Sequence, residues 1–346
     1  NKDSNYTLRA GFDGNTAGFD WQLAYQRAQS KSRVRAVNAI DQVRMNAALD
    51  AVRDPMGNIV CRVTLNPDPA IRARYAGCAP LNPFGPGAES NAAFAYFTGT
   101  TPQRDIKLTF ESIAGNFSRE LFDLWGAGPL AVAAGAEYRK VLLREVSNFD
   151  ASVFPDLTGL RGGIIIPSRH VQGDTGNSRG EYDIKEAFAE IDIPILKDSA
   201  VARSLDLNAA IRIADYSTSG SVKTWKFGGA WVPFDGLRFR ATRSRDIRAP
   251  SLIELFQGAA LSGAQLVDPH TNQVTNFATV SGGNPTLVPE VGNTVSFGLS
   301  AAPSFIPGFR FSVDYYKVKI DGAIQNTNSA TILAECELSN GTSPVC

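Results

Sequence analysis

The sequence predicts an all-β protein, an antiparallel transmembrane β-barrel segment of about ten strands with short periplasmic turns and long extracellular loops. Three observations carry that expectation. Apolar and polar residues alternate with a period of two in one segment after another. The connections between these segments are alternately short and long. No window approaches the roughly 18–20 uninterrupted apolar residues of a membrane-crossing helix, which leaves strands as the means of spanning because each need be only half apolar.

Composition agrees with a folded chain. Of 346 residues, 43% are hydrophobic and 20% charged, which argues against disorder. Thirty-four basic side chains balance thirty-four acidic ones, so there is no electrostatic footprint for nucleic acid and no such partner is expected. The opening residues, NKDSNYTLRAGFDGN, lack the basic, apolar and small-residue regions of a secretory signal. The expectation is that a signal has been removed or that the chain is a piece of something longer.

The alternation runs through the chain in order. Tyr6, Leu8, Ala10 and Phe12 alternate with Thr7, Arg9 and Gly11; Phe19, Trp21, Leu23 and Tyr25 follow against Asp20, Gln22 and Gln26. Leu108 and Phe110 alternate with Lys107, Thr109 and Glu111 in a stretch running toward Leu124, and Leu130, Val132, Ala134, Ala136 and Tyr138 with Gly135, Glu137 and Arg139. Ala187, Ala189, Ile191, Ile193 and Ile195 oppose Glu186, Phe188, Glu190 and Asp192; Leu205 to Ile213 oppose Asp206, Asn208 and Arg212; Trp225, Phe227, Gly229 and Trp231 form the next apolar face. Leu237, Phe239 and Ala241 come next, then Val295 to Ala301 and Phe309 to Tyr315.

Short turns at 13–18, 125–129, 197–203, 233–236 and 302–308 alternate with links that run from 28 to 103, 146 to 180, 247 to 292 and onward from 321, with STSG at 217–220 as the one brief exception. The long links therefore gather at one end, a bias that soluble sandwiches do not show. The stretch GLRFRATRS (236–244) poses the question of orientation. A soluble strand would put its apolar side on a core; in a closed barrel Leu237, Phe239 and Ala241 face lipid, while Arg238, Arg240, Thr242 and Ser244 line a wet lumen. Tyr138, Trp225, Trp231 and Tyr315 fall where an interfacial aromatic girdle would stand.

Cys61 and Cys78 lie in one loop-like region and Cys336 and Cys346 in another. This suggests two local bridges in an oxidising compartment ahead of free thiols. No metal site is expected, because the spacings match no common zinc pattern and only His170 and His270 are available as partners. The 28–103 link shows helical spacing at Ile40, Val43, Ala47 and Val52, and a helix with a disulfide would stiffen an entropically costly excursion. Its aromatics Phe84, Phe94, Tyr96 and Phe97 either hold a ligand or pack the link.

TRSRDIRAPSLIELF (242–256), GGNPTLVPEVGNTVSFGL (282–299) and IPGFRFSVDYYKVKIDGAI (306–324) resemble, in that order, the later barrel of TonB-dependent outer-membrane receptors. LFDLWGAGPLAVAAGAEYRK (121–140) and IKEAFAEIDIPIL (184–196) look like the middle of that barrel, and the Cys61-to-LNPFG and ILAECELSNGTSPVC segments like its loops. The resemblance implies a barrel of about 22 strands plugged by a separate domain. It also implies a small-molecule nutrient ligand, such as a ferric siderophore, cobalamin or an oligosaccharide, bound on the outer face. Outer-membrane lipid would surround the barrel, and the inner-membrane TonB complex would act through the plug. Residues 1–346 are then expected to be a partial barrel domain, an internal fragment without plug, energy-coupling box or closing strands, with 28–103 as an extracellular loop.

On this reading Glu137, Arg139, Glu186, Glu190, Arg212, Arg238 and Arg240 form a charged lumen lining, and Arg248 meets the plug or the wall. Pairing among themselves is favoured over substrate binding. No cofactor is expected. A catalytic reading finds no Gly-x-Ser-x-Gly elbow, no phosphate-cradling loop and no His-Glu-x-x-His helix. The alternatives are a passive porin-like or adhesin-like barrel and a secreted all-β binding module.

Overall fold

Period-two segments can bury or expose a whole face only if neighbouring strands keep a common register, and here they do. In a computed structural model, which describes residues 1–163, 166–171 and 174–346, ten long strands form one sheet. They are β1 (Lys2–Thr16), β2 (Phe19–Arg35), β5 (Gln103–Asp123), β6 (Pro129–Ser147), β7 (Ser178–Lys197), β8 (Ser204–Tyr216), β9 (Gly220–Val232), β10 (Leu237–Arg248), β13 (Glu290–Ala301) and β14 (Phe311–Asp321). Each is antiparallel to the next in that order, with β1 and β14 as the edges. Two small hairpins lie within the long links, β3 (Ala51–Arg53) with β4 (Ile59–Cys61) and β11 (Ala260–Val267) with β12 (Val274–Ser281). Among the described residues no helix is long and apolar enough to cross a membrane, a statement that does not bear on strands.

The short turns are tighter than the sequence suggests. β1 and β2 are joined by Ala17 and Gly18 alone, both at positive φ (52° and 78°), the twist that a two-residue hairpin needs. Between β5 and β6, the Asp123 carboxylate accepts the backbone N–H groups of Trp125, Gly126 and Gly128. At the other end β2 continues to Arg35, so the first long link begins at 36.

Register separates the two faces. Leu8, Phe12, Leu23, Phe117, Ile211, Phe227, Phe239, Phe297 and Val313 share one face and are exposed there, Phe12 to 70% and Val313 to 61%. A soluble sheet would bury such a face. Glu137, Glu186, Arg212, Arg240 and Asp314 share the other.

One stretch departs from the sequence reading. Pairing of β5 with β6 is continuous from Arg104↔Ser147 to Glu120↔Ala131, so no bulge rephases the strand. The apolar positions themselves change parity near Ser112. Ile113 and Phe117 lie on the exposed apolar face, opposite Tyr138 and Ala134, whereas Leu108 and Phe110 lie on the charged face, opposite Leu143 and Val141. Leu143 is buried there, at the end of the strands where the links pack.

Those links are folded. The 36–102 link carries α1 (Gln42–Leu49), the β3–β4 hairpin, α2 (Pro69–Arg74) and α3 (Asn91–Phe97). Ile40 and Val52, which fit the helical spacing, lie outside the helix, one before the Asp41 N-cap and the other in β3, because α1 runs only from Gln42 to Leu49. Val43, Ala47, Cys61, Val63 and Tyr75 form a core with Ile166 of the next link, flanked by Ile71, Leu157 and Leu160. A disulfide joins Cys61 to Cys78 within it, and another joins Cys336 to Cys346 beside α5 (Ser329–Leu338).

Replacing Cys61 and Cys78 together with Ala should destabilise the 36–102 link by about 3 kcal/mol, the loop-closure value for a bridge of this span. Proteolysis should then cut within 53–90 first while the ten-strand sheet stays intact, and an unchanged cleavage pattern would refute the prediction.

Candidate functional site

The charged face is assembled by cross-strand neighbours, since residues directly opposite in adjacent strands stand about 5 Å apart. Glu137 of β6 is directly opposite Glu186 of β7, a repulsive pairing unless cations intervene. Arg139 and Arg212 supply them: Arg139 reaches Glu137 at 3.2 Å and Glu186 at 3.5 Å, and Arg212 of β8 reaches the same Glu186 oxygen at 3.5 Å. The Arg212 guanidinium also lies 5.7 Å above the centre of the Phe188 ring, a cation–π arrangement. That ring covers Gly135, where any Cβ would strike it.

Beside this cluster is a cavity of about 360 Å³ lined by Glu186, Phe188, Arg212, Tyr216, Lys226 and Asp246 among others. Further round the face, Arg240 of β10 grips Asp314 of β14 in a fork, with Nε donating at 2.9 Å and Nη2 at 2.6 Å. The strand between them presents Gly298, and a Cβ there would overlap both partners. Glycine is what lets the pair reach across β13.

Arg248 ends β10 in a double clamp. It donates to both oxygens of Glu254 at 3.0 Å and to both oxygens of Glu290 at 2.9 and 2.8 Å. Glu254 also closes a capping box with Ser251 at the start of α4 (Leu252–Phe256), and Glu290 accepts the Ile324 N–H. One guanidinium therefore ties β10, α4, β13 and the segment after β14 together. α4 lies over the charged face: the Phe256 ring fills the space above Gly180 of β7, and Ser178 accepts the Gly258 N–H.

The first two long links meet through a buried polar group. Asp41 caps α1 by accepting the Arg44 N–H, and its other oxygen accepts Thr100 Oγ1 at 3.1 Å and Arg169 Nε at 2.9 Å. Thr100 Oγ1 is also 2.8 Å from His170 Nε2, and His170 Nδ1 is 2.7 Å from Asp174. The order hydroxyl, imidazole, carboxylate is that of a nucleophile with its base. Here the imidazole is 1% exposed and the hydroxyl is shared with Asp41, so the group is built as a clasp between links. Among the described residues, no cluster of His, Cys, Asp and Glu has the makings of a metal site.

The aromatics singled out in the sequence do not converge. Phe84 stands 85% exposed, Phe94 is exposed and edge-packed on Phe97 at 5.6 Å, and Tyr96 and Phe97 are buried inside the link. Burial pushes the Tyr96 phenol up to about 12. The charged residues, by contrast, share one face: Glu137, Arg139, Glu186 and Arg212 meet in one cluster, Arg240 and Arg248 in two others. Glu190 lines the cavity edge, and Arg238 stands at the short-turn end without an ion pair among the described residues. Phe188, Lys226, Asp246 and Asp314 were not singled out, although strand parity alone places them on this face. Nothing local in the sequence marks Asp41, Thr100 and Asp174.

A family profile described as TonB dependent receptor-like, beta-barrel matches residues 1–342. No curated protein sequence matches the chain. Among solved structures it is similar to the siderophore receptor PirA from Acinetobacter baumannii, at 12% identity over 92% of this chain and 35% of that one, with a TM-score of 0.53. It is also similar to PirA from Pseudomonas aeruginosa (13%, 92% and 46%, TM-score 0.44) and to a mutant ferric enterobactin receptor of the same organism in complex with enterobactin (12%, 92% and 54%, TM-score 0.43). At such identities the likeness is one of fold, and the chain spans only about a third to a half of the length of those proteins.

The Arg248 guanidinium, and after it the Ser251 N–H, hold the Glu254 carboxyl at about 2 against an ordinary 4.5. A carboxyl lowered on folding adds stability that is complete above about 4.5 and is lost as the pH falls through about 2. The Leu255 and Gln257 amides, bonded within the α4 turn, should therefore lose hydrogen-exchange protection progressively across that window. Glu254→Gln should show the loss already at neutral pH, and equal protection in both proteins throughout would rule out the clamp.

Proposed function

Because the chain belongs to the TonB dependent receptor-like β-barrel family, we propose that it forms part of the wall and outer loops of an outer-membrane receptor that takes up a scarce nutrient with energy from TonB. The observation that carries this reading is the division of the sheet into an exposed apolar face and a charged face on which Arg139, Arg212, Arg240 and Arg248 pair with carboxylates. A lipid-spanning wall needs the first, and a lumen that encloses a plug without binding it irreversibly needs the second. Further strands joined to the β1 and β14 edges would close the barrel, because open edges are not tolerated in hydrocarbon. The long links then stand outside the cell and the short turns face the periplasm.

The siderophore receptors that share the fold make a ferric siderophore the first ligand to test, ahead of cobalamin or an oligosaccharide. Phe84 and Phe94 are exposed aromatics available to it on the 36–102 link, whose interior Tyr96 and Phe97 fill. The inner-membrane TonB complex would act through a plug domain, and the chain itself would carry out no catalysis.

Loss of the intact receptor should abolish uptake of one ferric siderophore under iron limitation, and removing TonB should abolish it equally. Uptake that persists without TonB would favour a passive porin-like barrel instead. Phe297→Arg, on the exposed apolar face, should destabilise the inserted receptor by about 2–4 kcal/mol, while Ser296→Asn on the opposite face changes little. Equal effects at the two positions, measured by urea unfolding in vesicles, would mean that the apolar face does not meet lipid.

A further inference from the structure

Above the apolar band, the exposed face of β2, β5, β6 and β7 turns polar in steps that the register fixes. The last row of the band is Tyr25, Ile113 and Tyr138, with Lys185 opposite Tyr138. Two residues higher stand Arg27, Glu111, Lys140 and Asp183, one beside the next. These charges are compensated: Arg27 lies 3.8 Å from Glu111, and Lys140 lies 3.1 Å from Glu181.

Six residues above the band stands a different row. Lys31 is directly opposite Lys107, Lys107 opposite Arg144, and Arg144 opposite Arg179. All four side chains are exposed, and among the described residues none forms an ion pair. Like charges directly opposite destabilise a sheet, and here three such contacts follow in succession. The row spans three strand spacings, about 14 Å, and Lys31, Lys107 and Arg144 border a depression of about 580 Å³ together with Lys2 and Arg33. Its one carboxylate, Asp105, is already bonded to Arg33 at 2.6 Å.

We propose that this row binds the head of an anionic glycolipid in the surrounding membrane. The assignment rests on the outer-membrane reading above. Six residues along a strand are about 20 Å, or about 15 Å of height at the tilt of such barrels. The phosphate of an ordinary phospholipid lies within about 5–8 Å of the hydrocarbon, at the level of the row that is already neutralised. The free row stands higher, where negative charge arrives only if sugars carry it away from the acyl chains. Several anionic groups on one such head would relieve all three repulsive contacts at once.

The test uses the intact receptor, purified in neutral detergent and mixed with lipopolysaccharide carrying a phosphorylated inner sugar core. The lipid retained per receptor is measured after washing. Lys107→Gln with Arg144→Gln should lower retention about thirtyfold, from the roughly 1 kcal/mol that each of the two surface cations contributes. Lys317→Gln with Lys319→Gln, which removes the same charge from the same face of β14, should leave it unchanged. Phosphatidylglycerol should not distinguish the variants, and inorganic phosphate should not displace the lipid.

Equal loss in both double variants would reduce the row to diffuse charge. Discrimination by phosphatidylglycerol, or displacement by phosphate, would show a simple lipid or free-anion site and overturn the glycolipid assignment. Failure of the wild-type receptor to insert into phosphatidylcholine vesicles at all would instead strike the outer-membrane reading.

Discussion

Everything described here depends on an antiparallel register that holds across ten strands. Side chains alternate faces with a period of two, so a slip of one residue in any strand would carry its charges to the apolar side and its aromatics to the other. The two irregularities lie near the short turns, at Glu120/Asp123 and at Pro194/Leu196. Proline has no N–H to give to a ladder, and the free Pro194 carbonyl accepts Trp125 Nε1 at 2.7 Å. Elsewhere the ladders are unbroken, which is what puts Glu137 opposite Glu186 and makes two arginines necessary between them.

Glycine serves that register in a particular way. At Gly135 and Gly298 the missing side chain is space that a neighbour uses, the Phe188 ring in one case and the Arg240–Asp314 fork in the other. Large and absent side chains thus alternate across the charged face, and the Arg240–Asp314 pair forms between strands that are not neighbours. Such pairs are partly solvated and individually weak. On that face cations meet carboxylates at Glu186, Asp314 and Glu290, in contrast to the row of cations, unpaired among the described residues, on the outer side.

The long links follow a different logic. A link of more than sixty residues cannot borrow order from two strand ends, and ordering it costs conformational entropy for each residue. The 36–102 link meets that cost with a small core of its own, a disulfide, and a buried group in which Asp41, Thr100 and His170 lock it to the following link. An exposed residue at its surface, such as Phe84, therefore stands on a braced base, and α4 is braced independently by Arg248.

Much of this architecture was legible in the chain itself. Ten strands, their two faces and the gathering of long links at one end follow from a periodicity that each segment carries within a few residues, because side chains at i and i+2 share a face whatever lies beside them. That property also placed Glu137, Arg139, Glu186, Arg212 and Arg240 together before any register was known. It could not show the change of parity near Ser112, since the eye follows whichever apolar positions come first. Nor could it show the hairpin at 260–281, the reach of Arg240 across Gly298, or the meeting of Asp41, Thr100, His170 and Asp174 from two separate links. Those depend on which strand lies beside which and by how many residues it is offset. Such quantities are set by pairing between distant segments, and only the tertiary structure decides them.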